Sequence, residues 1–210
     1  MVVLFGGEKG GTGKTTLATN LAVLLAREGK DVMLVDTDKQ RSSALWSETR
    51  QAHPELTKVH CMEKLGEVAP AIRDLAGRYG HVIIDSGGRD GRELRSAMLV
   101  AEKMYIPIKA SQLDLWTVER MNELVSQAQG LNPALRAFSL VSMAPTNPMI
   151  NEAQEATEML GEFEYLKLST MIVRERKAYR DAIGEGKGVV EMENDKAIAE
   201  IELLGAEIIS

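Results

Sequence analysis

The sequence predicts an α/β domain built on a mostly parallel, twisted sheet with helices on both faces. Three observations predict it. Short β-branched apolar runs alternate with longer amphipathic segments along the chain. Several of these runs are apolar at almost every position, as expected for strands covered on both faces. A glycine-rich stretch, "GGEKGGTG", separates the first apolar run from the first amphipathic segment.

The elements follow in order. "VVLF" (2–5) is the first strand, and residues 14–29 form the first helix. Leu17, Leu21, Leu24 and Leu25 share one face of that helix, and Gly29 stops it. "DVMLVD" (31–36), "KVHCM" (58–62), "HVIID" (81–85), "KMYIPI" (103–108) and "AFSLVSM" (137–143) read as further strands. "YLKLS" (165–169) is a weaker seventh. Helices are predicted at 40–51, 66–79, 91–102, 114–129, 148–160, 174–184 and 194–209. Trp46 and Trp116 fall in amphipathic segments, where buried or half-buried packing is the default, and Leu115 is expected in the core beside Trp116.

Composition bounds the rest. A chain of 210 residues, 44% hydrophobic, can bury one sizeable core, and residues 1–210 are expected to form a single domain. The net charge of −6 argues against whole-surface nucleic-acid binding, although a local basic patch could bind weakly. The one cysteine, Cys61, excludes an intramolecular disulfide and points to a reducing cytoplasm, with Cys61 itself a small core residue. No apolar run is long enough to span a membrane, and the N-terminus lacks the pattern of a secretory signal. It runs straight into the glycine loop, leaving no room for a preceding DNA-binding domain.

"GEKGGTGKTT" (7–16) sits between strand and helix, the context of a phosphate-binding loop. The glycine that usually begins that motif is replaced by Glu8, and a lysine, Lys9, stands inside the loop. Gly10, Gly11 and Gly13, with Thr12 between them, let backbone amides approach phosphates, and the helix N-terminus adds a favourable field. Lys14 is placed for the β- and γ-phosphates, Thr15 for Mg²⁺ and Thr16 for the α-phosphate. Such a loop needs acidic partners. "DTDKQ" supplies Asp36 and Asp38, two residues apart and so on the same side of an extended segment, and "VIIDSGG" supplies Asp85. Gly87 and Gly88 then form a loop suited to switching near the γ-phosphate. Taken singly, each aspartate could equally be a solvated strand end or a helix cap.

"KGGTGKTT", "DTDKQ" and "VIIDSGG" together resemble the ParA/MinD superfamily of deviant-Walker ATPases, and most closely its short ParF-like plasmid-partition members. The resemblance runs over nearly the whole chain and implies a P-loop NTPase fold with ATP and Mg²⁺ as cofactors. It implies that Lys9 reaches across a nucleotide-sandwich homodimer to the partner's phosphates, while Lys14 and Thr15 serve the chain's own nucleotide. Asp38 would orient the attacking water, and Asp36 and Asp85 would act through the magnesium's waters. It further implies weak, non-specific DNA binding by the ATP dimer, nucleoid association of a cytoplasmic protein, a centromere-binding partner that stimulates hydrolysis, and in some members higher-order polymers. Lys39 departs from the proline usual after the second aspartate, which removes a backbone constraint.

Two further sites are expected. "SMAPTNP" (142–148) corresponds to a loop beside adenine in related proteins, making Met143, Pro145 and Asn147 candidates for the base. "VRERKAYRDAIGEGKG" (173–188) is the most basic stretch, with Arg174, Arg176, Lys177 and Arg180 within two helical turns. Arg174, Lys177 and Arg180 would share a face, either as a DNA patch or as a solvated surface with interleaved Glu175 and Asp181. A membrane-associated regulator like MinD would need a basic C-terminal amphipathic helix, and "NDKAIAEIELLGAEIIS" is acidic. The single cysteine argues against a metal-cluster role. An ATPase that positions a cargo other than a plasmid is not separable by sequence.

Overall fold

The computed structural model describes residues 1–147 and 149–210, and leaves out the side chain of Gln112. Seven parallel strands form one sheet in the order β3-β2-β4-β1-β5-β6-β7. These are β1 (Val2–Phe5), β2 (Val32–Asp36), β3 (His60–Glu63), β4 (His81–Asp85), β5 (Lys103–Lys109), β6 (Arg136–Ala144) and β7 (Lys167–Arg174). The helices are α1 (Lys14–Arg27), α2 (Ser42–Gln51), α3 (Ala69–Ala76), α4 (Arg92–Met98), α5 (Leu115–Leu131), α6 (Glu152–Leu160), α7 (Lys177–Gly184) and α8 (Asp195–Ile209). Every predicted strand and helix has an observed counterpart. The start of the predicted 148–160 helix, at Pro148, lies outside the described residues.

The continuous apolar strands have a simple cause. Val2 and Leu4 pack into one core with α3, α4, α5 and α6. Val3 and Phe5 pack into a second core with α1, α2, α7 and α8. Successive side chains point to opposite faces of a strand, so a strand buried on both faces favours apolar residues at almost every position.

Register places the carboxylates. Asp36 on β2 pairs with Asp85 on β4, and Asp85 pairs with Phe5 on β1. The two aspartates and the start of the glycine loop therefore meet at the carboxyl ends of three adjacent strands. Ligands of open α/β sheets bind at such ends.

Four expectations are corrected. β7 extends to Arg174, well beyond 165–169, because "STMIV" continues its pairing with β6 through register irregularities. α7 consequently begins at Lys177, so Arg174, Lys177 and Arg180 do not share a helix face. Trp116 is 81% exposed and Leu115 43% exposed, whereas both were expected in the core. Val118, Met121, Leu124, Val125 and Ala128 form the buried stripe of α5, and Trp116 lies well off that stripe at 100° per residue. Trp46 is buried as expected, with its Nε1 donating to the Lys187 carbonyl at 3.1 Å. Cys61 lies on edge strand β3 and is only partly buried, not a full core residue. Burial still pushes its thiol up to about 12, which leaves it unreactive.

Candidate functional site

The site begins with the turn from β1 into α1. Gly13 caps α1 at φ 92°, a left-handed conformation open to glycine and strained for other residues. Among the described residues no side chain caps the helix, which leaves its first amides available to a ligand. These amides and the helix dipole together make an anion site.

Lys14 is buried, and its Nζ donates to the Lys9 carbonyl at 2.5 Å. Burial lowers its pKa, and the nearby Asp85 and Asp38 oppose that shift. Thr15 Oγ1 donates to Asp85 Oδ2 at 2.7 Å, and Ser43 Oγ donates to the same oxygen at 2.7 Å. Asp85 Oδ1 is buried and has no hydrogen-bond partner among the described residues. Desolvation pushes the Asp85 carboxyl up to about 7, against its two hydroxyl donors. The charge of nearby Lys14 offsets this only in part, and Oδ1 has no donor of its own among the described residues.

These features fit Mg²⁺. Among the described residues no cluster of three or more His, Cys, Asp or Glu side chains could cage a metal alone. Mg²⁺ does not need such a cage, since it keeps waters and binds through one or two protein oxygens plus substrate phosphates. Thr15 and Asp85 would hold it, and the ion would neutralise phosphate charge when bound.

Asp36 is placed differently from Asp85. Its Oδ1 accepts from the Asp38 amide at 2.9 Å and its Oδ2 from the Ala44 amide at 2.9 Å. It therefore steadies the following loop and the first turn of α2, the capping alternative. Asp85 carries a carboxylate oxygen without a hydrogen-bond partner among the described residues, whereas each Asp36 oxygen accepts from one backbone amide. The extended segment expected to align Asp36 and Asp38 ends at Asp36, and Asp38 begins a turn in which its carbonyl accepts from the Arg41 amide at 3.0 Å. Asp38 nevertheless faces the glycine loop after β4, because a Cβ built on Gly87 would lie 3.2 Å from its carboxylate.

Lys9 lies on the rim, with Nζ 3.2 Å from Asp114 Oδ2. Glu8 Oε1 accepts from Arg120 at 3.1 Å. Both α5 partners escaped the sequence reading, although Asp114 carries a cap signature, D-x-x-T, and accepts from Thr117. Ser43 carried no signal at all.

Thr16, Met143, Arg174, Arg176 and Tyr179 line a cleft beside Gly13. Met143 adopts a left-handed φ of 48° at the end of β6. Met143 thus lines the cleft next to Gly13 and Thr16. Pro145 contributes through its carbonyl, which accepts from Arg174 at 2.6 Å. Asn147 is exposed and outside the cleft, and its side chain accepts from the Met149 amide at 3.0 Å. Pro148, the last residue of the predicted loop, lies outside the described residues. Thr12 is buried, and its carbonyl accepts from Ser142 at 2.8 Å, tying the loop to β6.

The basic stretch is largely paired within the chain. Arg176 binds Glu200 at 2.6 Å, Lys177 binds Asp181 at 2.7 Å and Arg180 binds Glu175 at 3.2 Å. The structure thus brings Arg174, Arg176 and Arg180 to the cleft, with Lys177 left on the outer surface.

A family model described as the CobQ/CobB/MinD/ParA nucleotide binding domain matches residues 3–189. The maintenance of carboxysome distribution protein A of Halothiobacillus neapolitanus is 28% identical over 188 residues, 88% of this chain and 84% of that protein. The chromosome-partitioning ATPase Soj of Thermus thermophilus is 29% identical over 184 residues, 73% of this chain and 74% of that protein. The Cyanothece McdA–ATP complex has the same fold, with a TM-score of 0.78 at 16% identity, covering 99% of this chain and 96% of that one.

Proposed function

This chain belongs to the CobQ/CobB/MinD/ParA nucleotide-binding family, and we propose that it is a Mg²⁺-dependent ATPase that partitions DNA. ATP binds at Gly10–Thr16 and closes a homodimer, the dimer holds non-specific DNA, and a centromere-binding partner stimulates hydrolysis to reset it. Residues 1–210 act as one domain, in the cytoplasm and on the nucleoid when ATP is bound, and higher-order polymers extend from the dimer.

One observation carries the reading. A single loop presents two lysines in different environments, Lys14 buried behind the anion site and Lys9 on the rim, 37% exposed. One lysine suffices for a chain's own phosphates. A second on the rim suits a neighbour's, where a positive charge in a closed site stabilises the transferring phosphoryl group. ATP then becomes part of the dimer interface, and hydrolysis loosens the dimer by mass action.

A second reading concerns only the cargo. The Halothiobacillus relative, which covers most of both chains, is named for carboxysome distribution. Positioning of a protein-bound cargo therefore stands beside plasmid partition. No helix among the described residues is long and apolar enough to cross a membrane.

The test is ATPase activity with and without non-specific DNA, with sedimentation in ATP and in ADP. A mass that does not change with nucleotide would overturn the dimer cycle. Stimulation by a DNA-binding protein encoded next door would assign partition over other cargoes.

A further inference from the structure

The segment after β4, "SGGRDGRELR", places three arginines within seven residues. Two are engaged. Arg92 binds Glu67 at 3.2 Å, and Arg95 binds Asp90 through two contacts, at 2.7 and 2.6 Å. Asp90 thus spends both its oxygens on Arg95. Arg89 is exposed and forms no ion pair among the described residues. The nearby Glu93 carboxylate is engaged by the Gly66 amide at 2.9 Å, and Asp38 Oδ1 by the Gln40 amide at 3.0 Å.

Arg89 also stands in a particular place. An ideal Cβ on Gly88 would fall 2.7 Å from the Gly10 amide nitrogen and 2.9 Å from the Lys9 carbonyl carbon. The backbone before Arg89 therefore lies directly on the phosphate loop, at a spacing that only glycine permits. Arg89 follows one residue later, about 3.8 Å along the chain. It lines a cleft of ≈ 500 Å³ with Gly10, Asp38 and Lys39. Lys9 points elsewhere, toward α5.

We propose that Arg89 is a catalytic arginine acting in cis on the terminal phosphate of the bound nucleotide. This rests on the ATPase reading above. In hydrolysis the water oxygen forms a bond to the γ-phosphorus. The bond from that phosphorus to the β–γ bridging oxygen breaks, and its electron pair leaves with ADP. The water's proton passes to the phosphate product or to solvent. Arg89 is not consumed. Its planar fork donates to the γ-oxygens as charge spreads over them, a role worth several orders of magnitude where an arginine supplies it.

The test uses the full chain with Arg89→Ala and Arg89→Lys. Three quantities are measured: the affinity of a fluorescent ATP analogue, single-turnover hydrolysis, and retention of ADP with aluminium fluoride, which mimics the transferring phosphoryl group. Arg89→Ala is expected to keep ATP affinity within about two-fold, slow hydrolysis by about 10²-fold or more, and lose ADP–aluminium fluoride. Arg89→Lys is expected to regain part of both losses. Unchanged hydrolysis and unchanged ADP–aluminium fluoride retention in Arg89→Ala would overturn the proposal. Recovery of activity on mixing Arg89→Ala with Lys14→Ala chains would overturn action in cis, because the arginine would then come from the partner. A wild-type chain that binds no ATP would overturn the ATPase reading itself, and this proposal with it.

Discussion

Lys9 Nζ sits 3.2 Å from Asp114 Oδ2, and Asp114 is the residue that caps α5. The lysine assigned to a neighbouring subunit is thus held within its own chain. Hydrogen bonding from Thr117, with Lys9 beside it, keeps the Asp114 carboxyl below the usual range, so the carboxylate stays charged at neutral pH. Reaching a partner's phosphates requires Lys9 to leave Asp114. Asp114→Asn retains a capping oxygen and removes the charge. An exposed pair is worth about 0.2–1 kcal/mol. Two such pairs break per dimer, so the substitution is expected to tighten ATP-dependent dimerisation by up to about thirty-fold, read by sedimentation. Weaker dimerisation would show that Asp114 supports the closed state instead.

The two lysines of the loop are expected to separate in function. Lys14→Ala should weaken ATP binding by at least about 10²-fold, since it removes the only buried cation at the anion site among the described loop residues. Lys9→Ala should leave ATP affinity within about two-fold and abolish partner-stimulated hydrolysis. Isothermal titration and a coupled phosphate assay distinguish the two, and equal stimulation of wild type and Lys9→Ala would remove the trans role.

Asp85 gives a pH dependence with a definite sign. Its carboxyl lies near 7 in the fold, far above its value in an unfolded chain. Between about pH 4 and about pH 7 the unfolded state releases a proton that the folded state keeps. Stability of the ligand-free protein from this group is therefore greatest at low pH and falls as pH rises through that window. Asp85→Asn should flatten the fall, gaining on the order of 2–4 kcal/mol at pH 8 in urea unfolding. It should also weaken Mg²⁺-dependent nucleotide binding. A variant less stable than wild type at pH 8 would mean that the buried carboxylate is compensated in solution.

The two tryptophans offer a stability contrast. Trp46→Ala removes a buried ring that stacks 5.5 Å from the Arg50 guanidinium and is expected to cost about 3–5 kcal/mol. Trp116→Ala should change unfolding free energy by less than about 0.5 kcal/mol. A large loss at Trp116 would place that side chain in a packed environment.

The basic stretch divides in the same way. Lys177→Glu is expected to weaken retention of non-specific DNA by the ATP-bound protein without changing ATP affinity, whereas Arg174→Glu should lower ATP affinity through the cleft it lines. A gel shift unaltered by Lys177→Glu would remove this residue from the DNA surface.

The phosphate loop was legible because its requirements are local. A glycine at φ 92°, a lysine and a threonine at the helix start leave the same residue types wherever the turn occurs. The strands were legible because burial on both faces makes nearly every position apolar. The length of β7 was not, since it depends on pairing with β6 across the chain rather than on the apolar run itself. That shift took Arg174 off α7 and dissolved the predicted basic face.

By itself, then, the sequence determined the loop, the parallel sheet, and Asp36 and Asp85 at strand ends. Tertiary structure decided what each group faces. Register set Asp36 beside Asp85, yet the Asp38 and Ala44 amides engaged one and left an oxygen of the other unpaired. Lys9 found Asp114, and Arg176 found Glu200, across separations no local pattern encodes. A residue type states what chemistry is available. Long-range packing fixes which partner is within a few ångströms, and at that distance charge and hydrogen bonding decide the role.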